Sequence, residues 1–429
     1  MESEFADPRF NASTYEVPEA PVRHGPQDPV EVPRASPQVT EWHLARRAVH
    51  LGADAVAATR RTADFFELTF AGRPVGGAGV PVPHPGPGIL LGAVIDELLL
   101  TVFTQARKPQ PSEEHVRILN EVDIALELYE RRGWLADPTK FYVTPDPAEP
   151  SFAPGSVGPV RFEYATFASH YVPVEGDPGR ERWLSYLPNH TAHAWVLRRD
   201  PAAPWLVCVH GAGMGDPLAD MGAFRAGHLH RRLGLNVAIP VLPRHGPRHR
   251  RFALSFPGDE LLDNVHGAAQ AAFDIRALLA WARTQGGPVG LTGMSLGGYV
   301  TALVADLEPD LACAIAGNPV VDFTTLLATH SPARYRRQPG FAEMLEASER
   351  VHRIISPLAM PVALPHQRRF IYAGIADRLV RPDQVQRLIE HWERPATLWY
   401  RGGHAGFAAS RRVRAFVDEA LRASGLAPG

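Results

Sequence analysis

The stretch GLTGMSLGGYV, residues 290–300, decides how this chain is read. An apolar run leads into Gly293-Met294-Ser295-Leu296-Gly297, and a helical pattern follows. At such a strand-to-helix junction a serine can be held in strained backbone geometry. The small glycines let the neighbouring strand and helix approach, and the Leu296 N–H is left pointing at the site. A hydroxyl is a poor nucleophile until a base takes its proton, and the carbonyl it attacks develops a negative charge that needs donors. A reactive Ser295 therefore requires a base, an orienting acid and a second N–H elsewhere in the chain. A serine in an ordinary glycine turn requires none of them.

Outward from this turn, apolar strands alternate with helical segments. VRFEYATFASHYV (160–172) and HTAHAWVLRR (190–199) alternate as half-exposed antiparallel strands do, whereas WLVCVHG (205–211) and LNVAIPVLP (235–243) are apolar on both faces, as strands inside a parallel sheet are. Helices near 260–284, from 296 and near 410–424 separate the further strands ACAIAGNPV, RRFIYAGIAD and PATLWYRGG. The pattern predicts an α/β fold with a mostly parallel central sheet, helices on both faces and ligands at the carboxyl ends of the strands.

Three further motifs answer the demands of Ser295. HGAGMGD (210–216) follows the strand WLVCV, YAGIADRLVRPDQ (372–384) puts Asp377 at a strand end, and LWYRGGHAGF (398–407) ends a strand in two glycines and His404. Together with the G-x-S-x-G turn, these motifs resemble the α/β-hydrolase superfamily over roughly residues 160–425. The resemblance implies an α/β-hydrolase fold with Ser295 as nucleophile, His404 as base and Asp377 as acid, in the chain order expected for that superfamily. It also implies an oxyanion hole built from the backbone N–H groups of Ala212 and Leu296. Asp322, after ACAIAGNPV, is the rival acid, although capping the helix that follows is a sufficient role for it.

The activity implied is that of a serine hydrolase cleaving a carboxylic ester or thioester through an acyl-enzyme, with a small-molecule substrate and no cofactor. A peptidase of the prolyl oligopeptidase type, an acyltransferase on the same triad and a non-catalytic binding protein on a hydrolase scaffold are the alternatives. Fold resemblance does not set the substrate.

The remaining segments are assigned by composition and periodicity. Residues 1–37, rich in proline, are expected to form an extended arm without chemistry, and 38–150 a helical N-terminal region joined through a proline-rich stretch at about 144–159 to a catalytic domain over 151–429. Residues 321–366 exceed a normal connection and are expected to form a helical cap. Its helix GFAEMLEASERVHRII carries a stripe that includes Phe341 and Met344, which either lines an acyl pocket as substrate-binding residues or packs on the sheet. His330, Arg334, Arg336 and Arg337, which precede that helix, read as a solvated basic loop.

Other signals bear on partners and location. His245 and His249, in LPRHGPRHRR, sit among arginines that oppose a metal, and no CxxC or HExxH pattern occurs, so metal is not indicated. A net charge of −2 gives no pull toward nucleic acid. In GILLGAVIDELLLTVF (88–103), Asp96 and Glu97 would each cost about 2.5 to 3.5 kcal/mol at a bilayer centre, so a buried or interface helix is expected and no membrane span. The acidic start MESEFADPRF and two cysteines in apolar runs point to a cytoplasmic chain. The N-terminal helices are the candidate surface for a homo-oligomer.

Overall fold

The computed structural model describes residues 56, 59–73, 77, 79–105, 112–200, 202–249 and 256–428. The expected arm over 1–37 lies outside the described residues. The strands are β1 (Ser151–Val157), β2 (Val160–Ala168), β3 (Thr191–Leu197), β4 (Trp205–Val209), β5 (Asn236–Pro240), β6 (Val289–Met294), β7 (Ala314–Gly317), β8 (Arg369–Gly374) and β9 (Ala396–Tyr400). They form a nine-stranded sheet in the order β1-β2-β3-β5-β4-β6-β7-β8-β9. Pairing is antiparallel from β1 through β3 to β5 and parallel from β5 through β4 to β9. This is the α/β-hydrolase fold, with the mixed, mostly parallel sheet that the alternation predicts.

The fully buried β4, β5 and β6 are the uninterrupted apolar runs of the sequence. Strand β1 corrects the expected joint at 144–159. Its sequence SFAPGSV has loop composition, yet it pairs along its length with β2. It is the outermost strand, where Pro154, lacking an N–H, removes no bond that an interior neighbour needs.

Between β7 and β8 the helices Phe323–His330, Ala333–Arg336 and Phe341–His352 occupy the segment read as a cap. Helices Pro87–Gln105 and Ser112–Arg131 precede the sheet, and Ala53–Gly429 form one compact unit. Tyr129, fully buried at the end of the second of these helices, donates to Asp177 Oδ2 at 2.7 Å and so fastens that helix to the body. Among the described residues no helix is long and apolar enough to cross a membrane. Cys208 and Cys313 are buried free thiols.

Candidate active site

Strand β6 ends at Met294, and helix Leu296–Ala305 begins one residue after Ser295, whose φ of 56° and ψ of −118° lie where a side chain is strained. Such strain costs on the order of 1 to 3 kcal/mol and persists only where the surroundings impose it. They do so here: Ser295 N donates to Gly317 O at 2.8 Å, and Tyr299 N donates back to Ser295 O at 3.0 Å. A Cβ at Gly297 would collide with Val209 O, and one at Gly293 with Gly297 O, so both glycines are needed for strand and helix to meet. The turn presents a half-buried Ser295 at the carboxyl edge of the sheet.

The loop after β4 lies against it. An added Cβ on Gly211 would be in contact with Ser295 Cβ, at 3.4 Å. His210 shapes this loop: its Nε2 accepts Leu242 N at 3.1 Å, so its Nδ1 carries the proton and donates to Gly211 O at 2.8 Å. Burial pushes its pKa down to about 4, which keeps the ring neutral. Further along, Asp220 Oδ1 accepts Gly215 N at 3.1 Å, and Asp216 caps helix Pro217–Ala223. Among the described residues, neither the Ala212 N–H nor the Leu296 N–H donates a hydrogen bond.

Asp377 and His404 follow β8 and β9. Asp377 Oδ1 accepts Leu379 N at 2.9 Å and Val380 N at 2.8 Å, which fixes the carboxylate, and Oδ2 lies 2.6 Å from His404 Nδ1. Burial pulls the His404 pKa down, but the charge and hydrogen bond of Asp377, helped by Asp96, outweigh it and leave it raised. Asp322 is occupied elsewhere. It caps helix Phe323–His330 and pairs with Arg387 Nη1 at 2.9 Å.

One residue invisible in the sequence ties these parts together. Asn318, buried and with φ of 41°, follows the Gly317 carbonyl that holds Ser295. Its Oδ1 accepts Gly374 N at 3.0 Å, and its Nδ2 donates to His404 O and to Tyr400 Oη, both at 2.8 Å. The ends of β7, β8 and β9 thus meet on one side chain. Asp96, on the helix expected to be buried, has a link to the site that its sequence does not show: its Oδ2 accepts His404 N at 2.7 Å and Arg378 N at 3.0 Å. Its only sequence signal is two acids in an otherwise apolar helix.

Met344 is buried on helix Phe341–His352, which packs against helices Ser112–Arg131 and Leu261–Thr284. With the half-buried Phe341 it lines a cavity of about 30 Å³ together with His115, Leu327 and Tyr335, and none of Ser295, Asp377 or His404 lines that cavity. His330 Nε2 donates to Leu379 O at 2.7 Å, linking the cap to the loop that holds Asp377. Arg336 and Arg337 are exposed, but the expected basic loop is corrected: His330 ends helix Phe323–His330, and Arg334 and Arg336 lie in the short helix Ala333–Arg336. His245 is buried, its Nδ1 donating to Pro243 O at 2.9 Å and its pKa pushed down to about 3 by burial and by His210. Nearby Arg248 is buried and paired with Asp274 at 2.8 Å, so this basic residue is structural.

No family model matches the chain. Among solved structures, an acetyl xylan esterase from Paenibacillus sp. R4 is similar at 13% identity, with a TM-score of 0.45, covering 72% of this chain and 100% of that one. An acylaminoacyl peptidase from Pyrococcus horikoshii is similar at 13% identity and a TM-score of 0.39, over 64% of this chain and 41% of the peptidase. Likenesses this slight say nothing of chemistry. Two curated relatives are far more similar. Uncharacterized protein MT2702 of Mycobacterium tuberculosis (strain CDC 1551 / Oshkosh) is 46% identical over 355 residues, covering 81% of this chain and 85% of its own. Uncharacterized protein Rv2627c of Mycobacterium tuberculosis (strain ATCC 25618 / H37Rv) is 45% identical over the same shares. The chain, an α/β-hydrolase in fold, belongs to the family of these two mycobacterial proteins.

Proposed function

We propose that the protein is a serine hydrolase that cleaves a carboxylic ester or thioester through an acyl-enzyme on Ser295. The observation that carries this reading is the 2.6 Å bond between Asp377 Oδ2 and His404 Nδ1, on strand ends that Asn318 links to the strained turn of Ser295. His404 Nε2 takes the Ser295 hydroxyl proton as Oγ bonds to the substrate carbonyl carbon. The carbonyl oxygen becomes an anion, stabilised by the Ala212 and Leu296 N–H groups. As the anion collapses, the bond to the alcohol or thiol breaks and His404 returns the proton to that leaving group. Water, deprotonated by the same imidazole, then attacks the acyl carbon, and as the bond to Ser295 Oγ breaks His404 returns the proton to Oγ, releasing the acid and restoring the serine. Asp377 holds the ring in the Nδ1–H tautomer and stabilises its transient charge.

No hydrogen bond joins Ser295 Oγ to His404 Nε2 among the described residues. That is compatible with the reading, because such contacts tighten when substrate binds.

A fluorophosphonate tests it. Mass spectrometry should find the label on Ser295, and Ser295→Ala should lose both labelling and hydrolysis of p-nitrophenyl acetate. Turnover that persists in that variant would overturn the reading.

A further inference from the structure

Two carboxylates hold His404, and they come from opposite ends of the chain. Asp377 meets the ring, at 2.6 Å from Nδ1, and Asp96 meets the main chain, with Oδ2 at 2.7 Å from His404 N. The same Asp96 oxygen accepts the N–H of Arg378 at 3.0 Å, the residue directly after Asp377. One atom of helix Pro87–Gln105 therefore spans the backbone beside the candidate acid and the backbone of the candidate base.

The helix is fitted closely for this purpose. Gly92 lies so near Gly403 that a Cβ on either would collide with the other's main chain. Next to Asp96, Glu97 pairs with the Arg378 guanidinium at 3.1 Å and accepts from Arg61 Nε at 3.0 Å. Phe65, Ile89 and Ala93 pack with Ile375 and Ala376, just ahead of Asp377.

We propose that Asp96 is a positioning residue of the Ser295–Asp377–His404 centre, which makes helix Pro87–Gln105 a working part of the site. This rests on the reading of those three residues as the catalytic machinery. A neutral side chain could supply a hydrogen-bond acceptor at this point, yet the chain keeps a buried carboxylate whose Oδ1 has no partner among the described residues. Burial, then the nearby Asp377, push its pKa up to about 6, so at neutral pH its charge is retained at a cost. The charge favours the His404 imidazolium, within a cluster whose other charged members are Asp377, Arg378, Glu97 and Arg61.

The test compares full-length parent, Asp96→Ala and Asp96→Asn, with Ser295→Ala as the labelling control. It follows the rate of fluorophosphonate labelling, the pH profile of kcat/KM for p-nitrophenyl acetate and the downfield proton resonance of His404 Nδ1–H. Asp96→Ala should slow labelling by about a hundredfold, the loss that a displacement near 1 Å can bring, and should broaden or remove the downfield resonance. Asp96→Asn keeps an acceptor for both N–H groups. It should keep the resonance and most of the labelling rate while moving the acid limb to lower pH, because imidazolium loses a negative neighbour.

Parent-like labelling and resonance in Asp96→Ala would overturn the proposal. Should Asp96→Ala not fold, an unmoved acid limb in Asp96→Asn would overturn it and a shifted one would support it. A parent unlabelled at Ser295, with a resonance that still collapses in Asp96→Ala, would remove the hydrolase reading and leave the hold of Asp96 on His404 standing.

Discussion

Asp377 divides its carboxylate between two tasks, Oδ1 binding the backbone of its own loop and Oδ2 binding His404. Asp322 has no such link, its oxygens being taken by Thr324, Thr325 and Arg387. Asp377→Asn should therefore lower kcat by about ten-thousandfold, the size of effect seen when a triad acid is made an amide, while circular dichroism shows a folded chain. Asp322→Asn should leave kcat near that of the parent, and Asp322→Ala should cost about 1 kcal/mol of stability through loss of a helix cap. The opposite ranking of the two Asn variants would move the acid to Asp322.

Because the active form needs a neutral His404 and its pKa is raised above 6.5, chiefly by Asp377 against the pull of burial, activity should fall on the acid side with a midpoint above that value. A kcat/KM profile for p-nitrophenyl acetate between pH 5 and 9 reads this directly. A midpoint below 6.5 would mean that burial wins over Asp377.

Asp96 should make stability depend on pH in the sense opposite to a paired surface carboxylate. Its pKa is about 6 in the folded chain against an ordinary 3.8, so folding favours the protonated form. Its contribution is fully present below the ordinary value and is lost as pH rises through 6. Replacing it by Asn removes the penalty above that range, about 3 kcal/mol for a shift of this size. Denaturant unfolding should find Asp96→Asn more stable than the parent at pH 8, with the gap shrinking at pH 5. A gap that widens on acidification would contradict the direction.

Arg248 and Asp274 are a buried pair at 2.8 Å. Arg248→Met strands the Asp274 charge and should cost about 3 to 5 kcal/mol, most of which should return when Asp274 is also made Leu. Urea unfolding of the single and double variants measures both. A double variant no better than the single would show that the guanidinium's bonds to Val241 O and Asn189 O matter more than the charge.

Met344→Ala should cost roughly 2 to 5 kcal/mol as a core truncation and leave unchanged the acyl chain length that p-nitrophenyl esters prefer. A displaced optimum would show that the small cavity beside Phe341 communicates with Ser295 and would support a substrate-binding role for both residues.

What was legible in the sequence was whatever repeats locally. The strands β4 to β8 could be read because a strand covered on both faces is a largely apolar run, the edge strand β9 because it keeps the apolar stretch LWY, and Ser295, Asp377 and His404 could be singled out because each stands just beyond a strand. Strand β1 was hidden by Pro154, a residue an edge strand tolerates and a central one does not, with Gly155 beside it adding to the look of a loop. Asp96 and Asn318 were hidden for another reason. A bond between Asp96 and His404 spans 308 positions and leaves no periodicity in either segment, while Asn318, in AGNPVV, has the look of an ordinary turn residue. Phe341 and Met344 show the limit from the other side, since a correctly read stripe does not say what it packs against.

The contact between Gly92 and Gly403 bears on where the chain can be cut. A fragment starting at Ser151, the first residue of the sheet, would contain every strand among the described residues and all of Ser295, Asp377 and His404. It would also leave the His404 and Arg378 N–H groups without their acceptor, the Arg378 guanidinium without Glu97 and Asp177 without the Tyr129 hydroxyl. The boundary drawn by sheet topology and the boundary drawn by satisfied polar groups therefore differ. For expression, or for grafting this scaffold, a piece that keeps all these contacts, with that of Arg61 to Glu97, has to include Arg61.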